Sequence, residues 1–137
     1  MTPVTLLISM AGLSHREASD YLRVRLDTVQ SWHRKTKPNQ ASEGVIGELK
    51  ALIAAQENAS NQFLDMVKTI SAQHGVPDVI ELGYPADDHE AQALGLPCVG
   101  AWMAMAGRCV ARSPIRIKLV PRGSTLATAA AMDAHQR

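Results

Sequence analysis

The stretch Leu13–Lys35, LSHREASDYLRVRLDTVQSWHRK, decides the fold of the N-terminal region. Ser14 and Glu17 have the spacing of a capping box, in which the serine hydroxyl accepts a hydrogen bond from the Glu17 amide and the glutamate accepts one from the serine amide. A helix follows this pair, and its inner face carries Ala18 and Leu22. Many basic and small polar side chains of the stretch have no place in a core, so we expect them to face outward.

A second helix is predicted over residues 27–35, with Asp27 interpreted as its cap and with Val29 and Trp32 facing inward. Only residues 23–26 separate it from the preceding helix. Two short helices joined by so tight a turn are typical of the helix-turn-helix motif, in which the second helix projects from the body of the protein. Its polar outer face is therefore expected to be free for contact with a partner.

The same residues resemble the helix-turn-helix of the Cro/C1-type phage repressors. The matching positions, in register and without a gap, are Gly12-Leu13-Ser14-His15-x-x-Ala18, Leu22-x-Val24 and Thr28-Val29-x-x-Trp32. Three residues depart from the family pattern: Arg23 stands where glycine is usual, Leu26 where a polar base-reading residue is common, and His33 where glutamate is frequent. The resemblance implies a DNA-binding domain and places His15 against a phosphate.

Charge is distributed unevenly along the chain, although the net charge is only +1. Residues 1–40 carry six Lys/Arg against three acidic residues, residues 41–95 carry two against nine, and residues 96–137 carry six against one. Basic ends around an acidic middle indicate a surface that faces a polyanion and is held away from a negatively charged body.

Binding to duplex DNA requires cations for the phosphates and short polar side chains that enter the major groove. Gln30 is suited to a bidentate contact with adenine, and Arg34 to one with guanine. Thr28 and Ser31 are small enough to permit close approach, and with Arg34 they are the first candidates for base contacts. The lysines that follow the helix are expected to contact the phosphate backbone. The predicted contact set is His15, Arg16, Arg25, Thr28, Gln30, Ser31, Arg34, Lys35 and Lys37.

Residues 45–70 predict one long helix that begins near Ser42, because a stripe recurs at alternating spacings of four and three. The stripe consists of Val45, Leu49, Leu52, Gln56, Ala59, Phe63, Met66 and Ile70. Gln56 is its polar member, and a polar residue in such a stripe often fixes the register of paired helices. Two interpretations stay open: packing within the chain and a contact between two copies.

The remaining segments add one helix before this stretch and a mixed region after it. We predict a helix at residues 3–10, a strand at 79–82, a brief acidic helix at 86–94, an apolar helix at 98–112 and a strand at 114–120. The expected fold class is mainly α (α+β), with an N-terminal helix-turn-helix bundle, a long helix and a small C-terminal α/β region. We expect a DNA-binding domain with the long helix over residues 1–73, a second domain over 76–122 and a flexible tail over 123–137.

The segment LPCVGAWMAMAGRCVAR and the order of elements around it resemble the two-domain autorepressors associated with phage anti-CRISPR operons and the related YdiL-like bacterial proteins. The resemblance implies that the region after the helix-turn-helix dimerises and that the homodimer binds an inverted repeat in a promoter. The buried face of the apolar helix is predicted to carry Val99, Trp102, Met103, Ala106, Cys109 and Val110. The expected dimer contacts are Phe63, Val99, Trp102 and Met103.

Enzyme motifs are mostly missing from the sequence. It contains no glycine-rich phosphate loop, no nucleophile elbow and no zinc-protease motif, so we expect neither catalytic residues nor a cofactor. Residues 87–90, DDHE, are the best candidate for binding a divalent ion, but four adjacent helical residues cannot face one point, and we expect no metal site. Cys98 and Cys109 are predicted on one helix, about 16 Å apart and too far for a disulfide. They are interpreted as buried thiols in a reducing compartment.

No apolar run approaches the roughly 18 residues of a membrane-spanning helix, and the N-terminus lacks the basic start of a signal peptide. We therefore expect a cytoplasmic protein. The leading hypothesis is a homodimeric, phage-related transcriptional repressor. The alternative is a protein-interaction module, for instance an antitoxin that engages its partner through residues 98–112 and 115–120. RNA binding through the same basic face is a third hypothesis, and a small enzyme comes last.

Overall fold

The computed structural model describes residues 1–124. Within this range the chain forms α1 (Pro3–Met10), α2 (His15–Leu22), α3 (Leu26–Trp32), α4 (Glu43–His74), β1 (Val79–Tyr84), α5 (Asp88–Ala93), α6 (Val99–Arg112) and β2 (Arg116–Pro121), followed by a short 3-10 turn (Arg122–Ser124). The expected α+β class with a majority of helix is confirmed. The predicted tail lies outside the described residues from residue 125 onward.

The first two helices begin where the capping residues predict. Pro3 opens α1 after Thr2, and the Thr2 amide donates to the Thr5 hydroxyl over 3.1 Å. At α2 the Glu17 amide donates to the Ser14 hydroxyl over 3.1 Å, and the Ser14 amide donates to the Glu17 carboxylate over 2.8 Å. The Thr2–Thr5 bond and the box at α2 satisfy amides that have no partner inside the first helical turn.

The third helix differs from its prediction at both ends. α3 begins after Arg25, which occupies the capping position in an extended conformation, so the interpretation of Asp27 as the cap is wrong. The helix ends at Trp32, and the residues that follow satisfy two of its carbonyls. The His33 ring nitrogen Nδ1 lies 2.9 Å from the Val29 carbonyl oxygen, and the Asn39 amide donates to the Ser31 carbonyl over 3.1 Å.

The long helix α4 begins after Ser42, whose hydroxyl caps the Val45 amide, and ends at His74, before Gly75, whose φ is 84°. Its buried face contains Leu49, Leu52, Ile53, Gln56, Ser60 and Val67. The predicted stripe is correct as far as Gln56 and then drifts by one residue, since an α-helix has 3.6 rather than 3.5 residues per turn. Met66 is consequently exposed and Val67 buried.

The C-terminal elements form a small sheet with two helices in the connection. β1 pairs with β2 in parallel, with Ile80 opposite Ile117. β1 extends to Tyr84, two residues beyond the predicted strand. β2 does not keep its predicted alternation, since Leu119 is half exposed and the neighbouring Val120 is buried.

Fewer residues of α6 are buried in the core than its sequence predicts. Ala101, Trp102, Ala106 and Cys109 are buried at helical spacing. Met103 and Val110 were expected beside them but are 62% and 50% exposed, because each lies one residue, about 100°, away from that line.

One hydrophobic core joins the two halves of the chain. α4 packs against both α1 and α6, and buried residues of α1 to α6 form one cluster. A second, smaller cluster of Val67, Ile80 and Ile115 lies beside the sheet, with Phe63 packed on it. The predicted boundary at residues 73–76 coincides with the end of α4, but the main core extends across it.

Candidate nucleic-acid interface

The turn between α2 and α3 is held by one serine. The Ser19 hydroxyl donates to the Val24 carbonyl over 2.7 Å, and the Ser19 carbonyl accepts from the Arg23 and Val24 amides. Arg23 has the left-handed conformation, with φ 57° and ψ 42°. Only residues 23–25 lie between α2 and α3.

α3 is anchored through its apolar side. Val29 and Trp32 are buried in the main core, as predicted, and the Thr2 hydroxyl lies 3.4 Å from the Trp32 carbonyl oxygen. Thr28 and Gln30, which flank Val29 in the sequence, are both exposed. The helix therefore separates a docked apolar face from a polar face that is open to solvent.

Ser31 does not belong to that open face. Its side chain is 4% exposed, and its hydroxyl donates to the Thr28 carbonyl over 2.6 Å. The prediction that Ser31 offers its hydroxyl outward is wrong, because the segment after α3 folds back and the Asn39 amide bonds the Ser31 carbonyl.

The predicted cations lie around α3 rather than all upon it. Arg34, Lys35 and Lys37 follow the helix in the segment that folds back, and Lys37 has a positive φ of 50°. Arg25 precedes the helix, and α2 begins with two further members of the set. All predicted contact residues other than Ser31 are exposed: His15, Arg16, Arg25, Thr28, Gln30, Arg34, Lys35 and Lys37.

Two histidines connect the start of α2 with the end of α3. The rings of His15 and His33 have centroids 4.0 Å apart and planes inclined by 34°. His33 is held in place by its hydrogen bond to Val29. The sequence predicted a role for His15 alone, because nothing local to His33 indicates that the two rings meet.

The acidic residues nearest this surface have structural roles or remain exposed. Partial burial alone would raise the pKa of Glu17, but hydrogen bonds from Ser14 and from the Cys98 thiol outweigh it and lower that pKa. Asp20 and Asp27 are exposed beside the cations. The surface from His15 to Lys37 therefore keeps an excess of positive charge.

Each carboxylate of the DDHE segment accepts a hydrogen bond from a backbone amide. Asp87 accepts from the Glu90 amide, Glu90 from the Ala86 amide, and Asp88 from the Val99 amide at the start of α6. No group of three His, Cys, Asp or Glu side chains suited to a metal ion occurs in residues 1–124.

The expected dimer contacts have different environments. Trp102 is 4% exposed in the core of its own chain, so its assignment to a subunit contact is wrong. Phe63 is partly buried beside the small cluster, and Val99 is partly buried. Met103 alone of the four is widely exposed.

A comparison with models of known protein families found no match, and a search of curated proteins found no significantly similar sequence. Among the helices of residues 1–124, none combines the length and the apolar character needed to cross a membrane.

Proposed function

We propose that this chain is a sequence-specific DNA-binding transcriptional regulator that acts as a homodimeric repressor on an inverted-repeat operator. The observation that carries the proposal is the division of α3: Val29 and Trp32 dock in the core, while Thr28 and Gln30 stay open to solvent among exposed cations. Short polar side chains on a docked helix, flanked by cations, are what major-groove recognition requires.

The residues divide into two groups by chemistry. Gln30 pairs its amide with adenine and Arg34 its guanidinium with guanine, while Thr28 allows the helix to approach the base edges. The remaining cations, with His15 at the start of α2, contact phosphates. These phosphate contacts are Arg16, Arg25, Lys35 and Lys37.

In the proposed dimer the subunits meet through residues 76–122, with Met103 as the exposed apolar contact. A two-fold dimer of this kind binds half-sites about 34 Å apart, one turn of B-DNA, or a multiple of that distance. A regulator of its own gene binds such a site in its own promoter.

Selection of bound fragments from genomic DNA tests the proposal, followed by gel-shift titration of the recovered fragment and of the gene's own upstream region at low salt. We expect a palindromic site and saturable binding. The Arg34→Ala variant is expected to tolerate a changed base at one position of each half-site, because the bidentate contact is lost. Recovery of fragments without a common sequence, or no shift at saturation, contradicts the proposal. A duplex RNA of the same sequence serves as competitor, and tighter binding of that RNA supports the RNA hypothesis instead.

The second candidate is a protein-interaction module of the antitoxin kind. The observation that favours it is a set of exposed apolar side chains on α1, α6 and β2, namely Leu6, Met10, Met103, Val110 and Leu119. A monomer in sizing experiments that binds no selected DNA is the outcome that favours this candidate.

A further inference from the structure

The corner between α1 and α2 touches the start of α6 backbone to backbone. Gly12, with φ 79°, and Gly100 lie so close that a Cβ atom on either would overlap the carbonyl oxygen of the other. Both obstacles are backbone atoms, which cannot move aside as a flexible side chain can. Glycine is therefore required at both positions, although they are 88 positions apart in the sequence.

Gln56 of α4 forms hydrogen bonds to both segments that meet at this contact. Its side chain is fully buried, and Nε2 donates to the Ala11 carbonyl over 2.9 Å and to the Ala101 carbonyl over 3.0 Å. These carbonyls belong to the residues next to Gly12 and Gly100. Oε1 accepts from the Arg108 guanidinium over 3.4 Å. One amide group of α4 thus binds the N-terminal helices to α6.

α2 contributes a further contact at this place. The Glu17 carboxylate, which caps α2, lies beside Gly100, where an added Cβ would be 3.5 Å from Oε1. The contact made by Gly12, Gln56 and Gly100 is here called the glycine junction. Through Glu17 it also includes α2, the helix that packs against α3. Because the segments are closely packed here, they cannot shift gradually relative to each other.

We infer that the glycine junction fixes the orientation of the α2–α3 pair relative to residues 76–122 and so determines which half-site spacing the dimer accepts. The inference rests on the proposed function, in which the second half of the chain joins the subunits. Rigid attachment of each α3 to that half sets the distance between the two copies of α3. Because one base pair changes the half-site separation by about 3.4 Å, a small change of angle at the junction changes the preferred spacing.

The first experiment measures binding to a spacing series. Two selected half-sites are placed at the natural separation and at separations one and two base pairs shorter or longer. The wild type is expected to prefer the natural spacing about ten-fold, since other spacings require the DNA to bend or twist. Gly100→Ala and Gln56→Leu are expected to shift the optimum or reduce the preference to about two-fold. Their affinity for a single half-site, per folded molecule, should equal that of the wild type.

Gly107→Ala is the matched control, because Gly107 lies on the same helix and an added Cβ there meets no atom within 4 Å. It should keep the wild-type spacing profile. Loss of stability lowers binding at all spacings alike, so the ratio between spacings isolates orientation from folding. Wild-type profiles for both junction variants overturn the inference.

The second experiment needs no DNA. Spin labels at Asp20→Cys and Glu81→Cys, both exposed positions, report the distance between α2 and β1 by pulsed electron resonance, with excess unlabelled chain to suppress signals between subunits. The wild type and Gly107→Ala are expected to give one narrow distribution, and Gln56→Leu and Gly100→Ala a shifted or broader one. An unchanged distribution overturns the inference even where DNA is bound. A broadened distribution with no DNA binding in any variant removes the proposed function and, with it, the role in spacing.

Discussion

Arg23→Gly is expected to stabilise the protein. Arg23 ends α2 in the left-handed conformation, with φ 57° and ψ 42°, and its side chain is exposed. A Cβ atom is strained in this conformation because it approaches the following carbonyl oxygen, and glycine removes that strain.

The magnitude follows from two opposing terms. Relief of the left-handed conformation contributes about 1–2 kcal/mol. Glycine also makes the unfolded chain more flexible, which lowers the free energy of unfolding by about 0.5–1 kcal/mol. The net gain in the free energy of unfolding is about 0.5–1 kcal/mol, or about 2–4 °C in Tm for a domain of this size.

Urea and thermal unfolding followed by far-UV circular dichroism measures the effect. Arg23→Ala removes the guanidinium but keeps the Cβ atom, so it should show no gain. Arg16→Gly places glycine inside α2, where φ is right-handed, and should lower the free energy of unfolding by about 1 kcal/mol. Equal stability of Arg23→Gly and Arg23→Ala would show that the left-handed conformation at position 23 carries no strain.

Three further predictions concern other parts of the molecule. Gln56→Ala should lower the free energy of unfolding, measured in urea, by about 2–4 kcal/mol, because two buried carbonyls lose their donor and a cavity remains. The control variant Gln62→Ala, at an exposed position, should change it little. Lys37→Ala should weaken binding to all sequences alike and lower the slope of log affinity against log salt by about one, and a changed base preference would argue against a phosphate contact. Burial raises the pKa of the Cys98 thiol to about 11, so iodoacetamide at about pH 8 should label it only after unfolding, and rapid labelling of the native protein would contradict this.

The sequence predicted which residues are exposed on the candidate surface more accurately than how they are arranged there. Exposure of Thr28, Gln30 and Arg34 follows from their polar residue types alone. The burial of Ser31 does not, because it depends on the Asn39 amide reaching back across the end of α3. The ring contact of His33 with His15 is likewise invisible in a linear pattern, since it joins two elements through space.

The sequence by itself determined the starts of the first two helices and the ends of α4, because capping boxes, an N-terminal proline and a C-terminal glycine act within three or four residues. Only the tertiary structure decided which face of α6 is buried and which carbonyls Gln56 of α4 binds. Those choices depend on partners far apart in the chain, of which Gly12 and Gly100 are the clearest pair. Local periodicity specifies that a helix has an apolar side, but the neighbour that fits against it decides which residues that side contains.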